Sequence, residues 1–325
     1  MGTTMLTIAE TAAWFKERDN FLILTHRRPD GDTLGSAGAL VQGLREAGKT
    51  AHALYNPETT PRYARFVEGC WAPDGYISEH IVTVDTASCS LSPLNGEEYF
   101  NAVSLCIDHH PSNTHYAEQS CLKVDAASCG EIVYKILMAL SDGISARSAE
   151  RLYVAVSTDT GCFLFGNTTA DTLRVASLLV EAGAPHRQLN KLLFRTKTRS
   201  RTIIESMIYS GLEFYFDGAV AISTITRAMM ESSNANEDDL DDIASLPGSV
   251  EGVIAGITLR EMASARDCKV SVRTSQSVDA HAISSHFGGG GHKFASGFTV
   301  EKTLAEVKEE LLEILGACFA AQNGN

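Results

Sequence analysis

Residues 103–110, Val-Ser-Leu-Cys-Ile-Asp-His-His, form a short apolar run that ends in Asp108, His109 and His110. The length of the run and its β-branched side chains predict a buried strand. Residues 131–140 then carry apolar side chains at helical spacing. The segment is therefore typical of a strand that presents polar groups at its carboxyl end and is followed by a covering helix.

The same alternation of short apolar runs and longer helical patterns extends to about residue 185. The predicted strands are 21–24, 81–84 and 103–107, and the predicted helices are 34–47, 131–140, 146–156 and 171–181. Strands that alternate with helices favour a mostly parallel sheet flanked by helices. The sequence therefore predicts an α/β fold for this part of the chain.

The alternation of strands and helices changes after residues 184–205, a basic stretch that is compatible with a helix. We expect one domain over 1–184, a helical linker over 185–206 and a second domain over 207–325. The last part predicts a hairpin around residues 217–218, an acidic helix over 237–246, strands over 252–259 and 268–273, and helices over 279–286 and 304–319. This is the pattern of a second, smaller α/β domain.

Charge and composition exclude several classes of protein. The chain of 325 residues has 27 basic and 40 acidic side chains, a net charge of −13, which argues against a broad surface for long nucleic acid. No run of about eighteen apolar residues is present, so we expect no membrane span. The eight cysteines are scattered without a Cys-x-x-Cys pair, which favours reduced thiols and a cytoplasmic protein.

Carboxylates and imidazoles recur where the predicted strands end. They are His26, Asp30 and Asp32 after the first strand, Asp85 after the second, His109 and His110 after the third, and Asp159 after the helical run that includes Tyr153. Four carboxylates at one sheet edge would repel one another by several kcal/mol without a counter-charge. The pattern therefore indicates bound cations. Nitrogen and oxygen donors without thiolates suit Mn²⁺ or Mg²⁺ better than a structural zinc ion.

These motifs resemble those of the DHH phosphoesterase superfamily. The resemblance rests on residues 108–110, on His-Arg-Arg-Pro-Asp-Gly-Asp at 26–32, on Asp85, and on Ser-Thr-Asp-Thr-Gly at 157–161. Residues 287–297, Phe-Gly-Gly-Gly-Gly-His-Lys-Phe-Ala-Ser-Gly, resemble the glycine-rich signature of the DHH-associated C-terminal domain. Both resemblances together span nearly the whole chain, and its length is most similar to the branch of nano-RNases and pAp phosphatases.

The resemblance implies a site for two metal ions. One ion would be held by His26, Asp30 and Asp85, and the other by Asp32, Asp85, His109 and Asp159, with Asp85 bridging the two. Asp108 would orient a histidine, and His110 would face the scissile phosphate as a catalytic residue. The chain has Thr33 where the superfamily often has alanine, a departure that we expect to be tolerated.

The resemblance also implies substrate contacts in the C-terminal domain. Arg273 ends an alternating strand and is expected to point toward the nucleotide. Gly290 and Gly291 lie in the glycine run before His292, where successive backbone N–H groups could bind an anion. A flexible loop is the alternative interpretation of this run.

The sequence therefore predicts a manganese-dependent phosphodiesterase that degrades oligoribonucleotides of about two to five nucleotides to mononucleotides, with pAp 3′-phosphatase as a second activity. Its partners would be short RNA or pAp, and the oligomeric state is open between monomer and homodimer. The enzymatic alternatives are a linear or cyclic dinucleotide signalling phosphodiesterase and an inorganic pyrophosphatase or polyphosphatase. A silent nucleotide-binding regulator is the non-enzyme alternative, and it would be expected to lack at least one ligand.

Overall fold

A computed structural model describes residues 2–240, 242–262, 264, 267–275 and 278–323, and it divides the chain into two units. The first unit is Met1–Thr196 and the second is Lys197–Asn325. The division falls within the segment 185–206, where a helix, His186–Asn190, and a π-helical turn, Lys191–Arg195, precede it.

The first unit contains a six-stranded sheet and seven helices in its described residues. The strands are β1 (Thr4–Met5), β2 (Phe21–Leu24), β3 (Ala51–Ala53), β4 (His80–Val84), β5 (Val103–Asp108) and β6 (Gln119–Leu122). The helices are α1 (Ile8–Lys16), α2 (Gly31–Glu46), α3 (Pro61–Ala64), α4 (Cys129–Leu140), α5 (Ala146–Asp159), α6 (Ala170–Glu181) and α7 (His186–Asn190).

The sheet of the first unit is parallel throughout, with strand order β1-β6-β5-β4-β2-β3. All four residues of β2 are buried because both faces of the sheet are covered. Phe21 and Ile23 pack with helical residues such as Leu40, whereas Leu24 packs on the other face with Phe100. The predicted parallel sheet flanked by helices is confirmed.

Helix α2 approaches α5 closely because its packing face carries glycines. A Cβ on Gly31 would lie 2.5 Å from the Thr158 side chain, and a Cβ on Gly35 would lie 2.5 Å from the carbonyl oxygen of Arg151. The absence of these side chains brings the first turn of α2 against the last turn of α5. This contact positions the two helix ends that carry Asp32 and Asp159.

The second unit contains a mixed sheet of order β11-β12-β10-β9-β8-β7, in which only β8 and β9 pair in parallel among the described residues. Its strands are β7 (Glu213–Tyr215), β8 (Val220–Ile225), β9 (Ala255–Glu261), β10 (Asp267–Thr274), β11 (Gly290–His292) and β12 (Ala295–Glu301). Its helices are α8 (Arg199–Ser210), α9 (Arg227–Ser233), α10 (Ala280–His286) and α11 (Leu304–Asn323).

The predicted acidic helix over 237–246 is wrong in the residues that the structure describes. Short 3₁₀ turns occupy Asp238–Leu240 and Ile243–Ser245 instead. The side chain of Asp239 accepts hydrogen bonds from Asn236 N and Thr198 Oγ1, and Asp242 has a φ of 59°. Polar side chains that compete for local hydrogen bonds favour such turns over a continuous helix.

None of the helices in the described ranges combines the length and the apolar character that a bilayer crossing requires. The cysteines of the chain are all free thiols.

Candidate metal centre

The candidate site lies at the carboxyl edge of the parallel sheet in the first unit. Strands β2, β4 and β5 are neighbours in this sheet, and His26, Asp85 and Asp108 come at or just after their ends. Parallel strands bring such residues to one edge, where open α/β sheets bind ligands. Helices α2 and α5 complete this edge: Asp32 lies in the first turn of α2 and Asp159 is the last residue of α5.

The side chains at this edge form overlapping groups whose potential ligand atoms lie within 4.8 Å of one another. The groups are His26, Asp30 and Asp85; Asp32, His109 and Asp159; and Asp85, His109 and His110. Asp85 belongs to the first and third of these groups, and His109 belongs to the second and third. The structure thus brings together all six residues that the sequence analysis names as metal ligands.

Backbone carbonyl groups orient two of the histidines. His26 Nδ1 lies 2.7 Å from the carbonyl oxygen of Arg27, and His109 Nδ1 lies 3.3 Å from that of Ala126. Nδ1 is the donor in such a contact, so Nε2 of each ring is turned toward the carboxylates. Histidines that bind metals are commonly held in this way.

Asp85 lies at the centre of the site and is 3% exposed. Its Oδ1 is buried and has no hydrogen-bond partner among the described residues, while His109 Nε2 lies 3.4 Å away. A buried carboxylate oxygen without a partner is costly. A bound cation would satisfy this oxygen, so the donor set fits the metal centre that the sequence predicts.

Asp32 is held rigidly by the start of helix α4. Its Oδ2 accepts from the backbone N–H of Cys129 at 2.7 Å, and its Oδ1 accepts from that of Gly130 at 2.9 Å. Ser36 Oγ donates to Oδ1 at 3.0 Å. The N–H groups at a helix N-terminus favour a negative charge, so they stabilise the ionised form of this buried carboxylate.

The electrostatics of the group reflect buried carboxylates that are crowded together. Burial, and then the charges of Asp85 and Asp159, raise the pKa of Asp32 well above its usual value. Burial and the charge of Asp85 raise the pKa of Asp159 to about 7 in spite of the nearby His109. Burial alone would lower the pKa of His109, but Asp85 and Asp32 raise it to about 10. Bound divalent cations would offset this concentration of negative charge.

Asp108 orients His110. Its Oδ1 lies 2.8 Å from His110 Nδ1, and its Oδ2 accepts from Asn113 Nδ2 at 2.7 Å. Asp108 is fully buried, whereas the His110 side chain is 40% exposed. The hydrogen bond that His110 donates to Asp108 raises the pKa of His110. With Nδ1 engaged, the Nε2 atom of His110 is the one available to a ligand.

The sequence analysis missed two residues of this site. Asn113 fixes Asp108, and its spacing of five residues from Asp108 carries no recognisable signal. Thr33 is fully buried, and its Oγ1 donates to Asp85 Oδ2 at 2.6 Å and lies 3.2 Å from Asp30 Oδ1. The sequence shows Thr33 only as a departure from the family pattern, whereas the structure makes it a direct contact of the central carboxylate.

We expect Thr33→Val to weaken Mn²⁺ binding about tenfold, because groups that hydrogen-bond to a ligand typically contribute 10- to 100-fold to metal affinity. Thr33→Ser keeps the hydroxyl and should bind nearly as well as the wild type. Isothermal titration calorimetry of the metal-free proteins measures the difference. Equal affinities for the Val and Ser variants would show that this hydrogen bond does not support the site.

The residues predicted to bind substrate come together in the second unit. Arg273 on β10 and His292 on β11 are both in register with Ala295 on the strand between them. Residues directly opposite each other on neighbouring strands share one face of a sheet. Gly290 and Gly291 belong to the edge strand β11, whereas Gly288 and Gly289 precede it. A Cβ on Gly291 would lie 2.6 Å from the carbonyl oxygen of Ala295, which explains the glycine there.

Known proteins resemble the chain over both units. Residues 20–156 match the N-terminal domain of the DHH family, and residues 217–321 match the DHHA1 domain. A Thermus thermophilus protein named bifunctional oligoribonuclease and PAP phosphatase NrnA is 31% identical over 302 residues, which cover 89% of each chain. A Bacillus subtilis protein of the same name is 25% identical over 87% of this chain and 90% of its own.

The fold is similar to that of a solved structure from Bacteroides fragilis, described as an exopolyphosphatase-related protein. The TM-score is 0.84 at 23% identity, and the match covers 94% of this chain and 95% of the other. Both domain matches and the similarity to the Thermus protein extend over the two units described above. The chain therefore belongs to the DHH family of metal-dependent phosphoesterases.

Proposed function

We propose that this protein hydrolyses short oligoribonucleotides to mononucleotides and removes the 3′-phosphate of pAp. The observation that carries the proposal is the central position of Asp85, whose Oδ1 is buried and unpaired among the described residues. Asp85 shares one ligand group with His26 and Asp30 and another with His109 and His110. The names of the Thermus and Bacillus relatives support the choice of substrates. The net charge of −13 favours a small ligand over a long nucleic acid.

We propose two divalent ions at this site, with Mn²⁺ as the physiological metal and Mg²⁺ as a substitute. His26, Asp30 and Asp85 would hold one ion, and Asp32, Asp85, His109 and Asp159 would hold the other. When bound, two divalent ions neutralise the charge on a phosphate and lower the pKa of a coordinated water toward about 7. The absence of thiolate ligands supports a hard or borderline metal.

The chain's own residues orient the phosphate and supply a proton. Asp108 holds Nδ1 of His110, so that Nε2 can donate a hydrogen bond to the scissile phosphate or a proton to the leaving oxygen. Asn113 and the backbone N–H of His109 donate to Asp108 and keep it in its acceptor role. We assign His110 as a catalytic residue and Asp108 as its positioning residue.

We further propose that Arg273, His292 and the backbone of Gly290 and Gly291 bind a terminal phosphate or the base of the substrate. These residues share one face of the second sheet, which supports the assignment.

We propose that the second domain binds the substrate and that residues 185–206 link it to the first domain. The free thiols support a cytoplasmic protein, and a homodimer is a further proposal.

Arg273→Ala and His292→Ala should each lower kcat/KM for a dinucleotide roughly 10- to 100-fold, since a charge-assisted hydrogen bond to phosphate contributes about 1.5–3 kcal/mol. The generic substrate bis-p-nitrophenyl phosphate lacks the distant phosphate and should be cleaved almost normally. Equal losses on both substrates would show that the two residues support the fold rather than substrate binding.

A panel of substrates tests the proposed function. pAp, pGpG, RNAs of increasing length and pyrophosphate are compared by kcat/KM with Mn²⁺. We expect the highest values for dinucleotides and pAp, with a decline as the RNA lengthens. A strong preference for pGpG alone would indicate a signalling phosphodiesterase, and turnover of pyrophosphate alone would indicate a pyrophosphatase. No turnover of any substrate would support a silent regulator.

A further inference from the structure

The loop that follows helix α5 has an unusual backbone. Gly161, Cys162 and Phe163 have φ values of 55°, 58° and 67°, so three consecutive residues are in the left-handed region. Residues other than glycine rarely adopt this backbone conformation, and it persists only where surrounding contacts impose it. Here Cys162 N donates to the carbonyl oxygen of Ser157 at 2.7 Å, which turns the chain sharply at the end of the helix.

The turn separates the apolar side chains of the loop. Phe163 packs inward against Tyr153, with ring centroids 6.0 Å apart. Leu164 and Phe165 point outward and are 84% and 58% exposed. These two large apolar side chains are adjacent and exposed beside a strained turn. This arrangement favours a surface that binds a ligand.

The ring of Phe165 is nevertheless held in place. A Cβ on Gly161 would lie 2.4 Å from Phe165 Cζ, so the tip of the ring rests directly on the glycine backbone. The backbone N–H of Phe165 donates to the carbonyl oxygen of Thr160 at 3.0 Å. The result is a half-exposed aromatic ring of fixed position.

The loop that carries this ring follows Asp159, one of the proposed metal ligands. Gly161 comes two residues after Asp159, whose Oδ2 lies 3.6 Å from His109 Nε2. Asn167 Nδ2 donates to the carbonyl oxygens of Asp159 and Ala127 at 3.1 Å, which ties the far side of the loop to the same region. A substrate phosphate held at the metal centre would therefore bring its nucleoside close to this loop.

We propose that Phe165 is a stacking platform for a nucleobase of the substrate, with Leu164 extending its apolar surface. The inference rests on the proposed function and identifies where a base binds. Every nucleobase offers a flat π-face, so an aromatic ring selects a nucleoside without selecting its identity. The site would thus favour nucleotides over inorganic phosphates and tolerate any base.

Steady-state kinetics test the platform. Phe165→Ala should raise KM for a dinucleotide about tenfold with little change in kcat, because stacking acts on binding. A dinucleotide with abasic ribose at both positions should show no difference between this variant and the wild type. Phe165→Trp should restore the low KM. Phe214→Ala is the matched control, since Phe214 is 50% exposed on β7 and should leave KM unchanged.

A binding measurement separates this inference from the proposed function. AMP should quench the fluorescence that Phe165→Trp adds to the protein, and ribose 5-phosphate should not. Quenching supports the platform even if no dinucleotide is hydrolysed, a result that would reject only the proposed function. Equal KM values for the wild type and Phe165→Ala, together with no quenching, overturn the platform. A loss of self-association in Phe165→Ala with unchanged KM would also overturn it and assign the loop to contact with a second copy.

Discussion

Asp85→Asn should abolish turnover and remove bound manganese while the protein remains folded. Asp85 shares a ligand group with His26 and Asp30, and it lies 3.4 Å from His109, a member of the other two groups. Its loss would remove an oxygen donor from both proposed ion sites. Asparagine keeps the shape of the side chain and tolerates the left-handed backbone of this position, where φ is 55°. Because metal ions supply several kcal/mol of transition-state stabilisation, we expect kcat/KM to fall by at least about 10³-fold.

His109→Ala should have the same phenotype, because His109 contacts three of the carboxylates of the site. Metal content by atomic emission, kcat/KM on a dinucleotide and circular dichroism are measured together. Asp142→Ala, which changes an exposed loop carboxylate, is the matched control. Full activity of either site variant in metal-free buffer would reject the two-metal assignment.

His110→Asn should retain both metal ions but lower kcat by roughly 10²–10³-fold, the usual effect of removing one donor to the transition state. Asparagine can still donate a hydrogen bond to Asp108, whereas it has no counterpart of the imidazole Nε2. The variant therefore removes the proposed catalytic atom and preserves the local contact.

Measuring kcat together with metal occupancy distinguishes a catalytic role of His110 from a role as a metal ligand or a structural residue. If the variant loses manganese, His110 is itself a ligand, in keeping with its place beside Asp85 and His109 in one of the three groups. If kcat is unchanged at full occupancy, His110 has a structural role only. Either result would overturn the catalytic assignment.

Strands β2, β4 and β5 of the first sheet, and the polar residues at their ends, could be predicted from the sequence for one physical reason, whereas β1, β3 and β6 were not predicted. A buried parallel strand must be apolar along its whole length, so Phe21–Leu24 and the run before Asp108 stand out, and polar residues mark the points where burial ends. Strand β1, with two exposed residues, offers no such contrast and was not predicted.

The contacts that support the site could not be predicted from the sequence, because they join residues that are distant in the chain. The hydrogen bond from Thr33 to Asp85 and the hold of α4 on Asp32 depend on tertiary geometry alone. The error at 237–246 has the opposite origin, because local helical spacing was present but side chains such as Asp239 bond to neighbouring backbone instead.

The bond between Asp32 and the start of helix α4 has a kinetic consequence. The two partners, Asp32 and Cys129, are 97 residues apart in sequence, so their contact closes a long loop of the chain. Contacts of such long range form late in folding, because the entropy of closing the loop must be overcome first. We therefore expect a refolding chain to bind a divalent metal ion tightly only once this contact has formed. During refolding, the rate of metal binding should then equal the rate of the slowest phase of sheet assembly. The bound ion would therefore report when folding is complete.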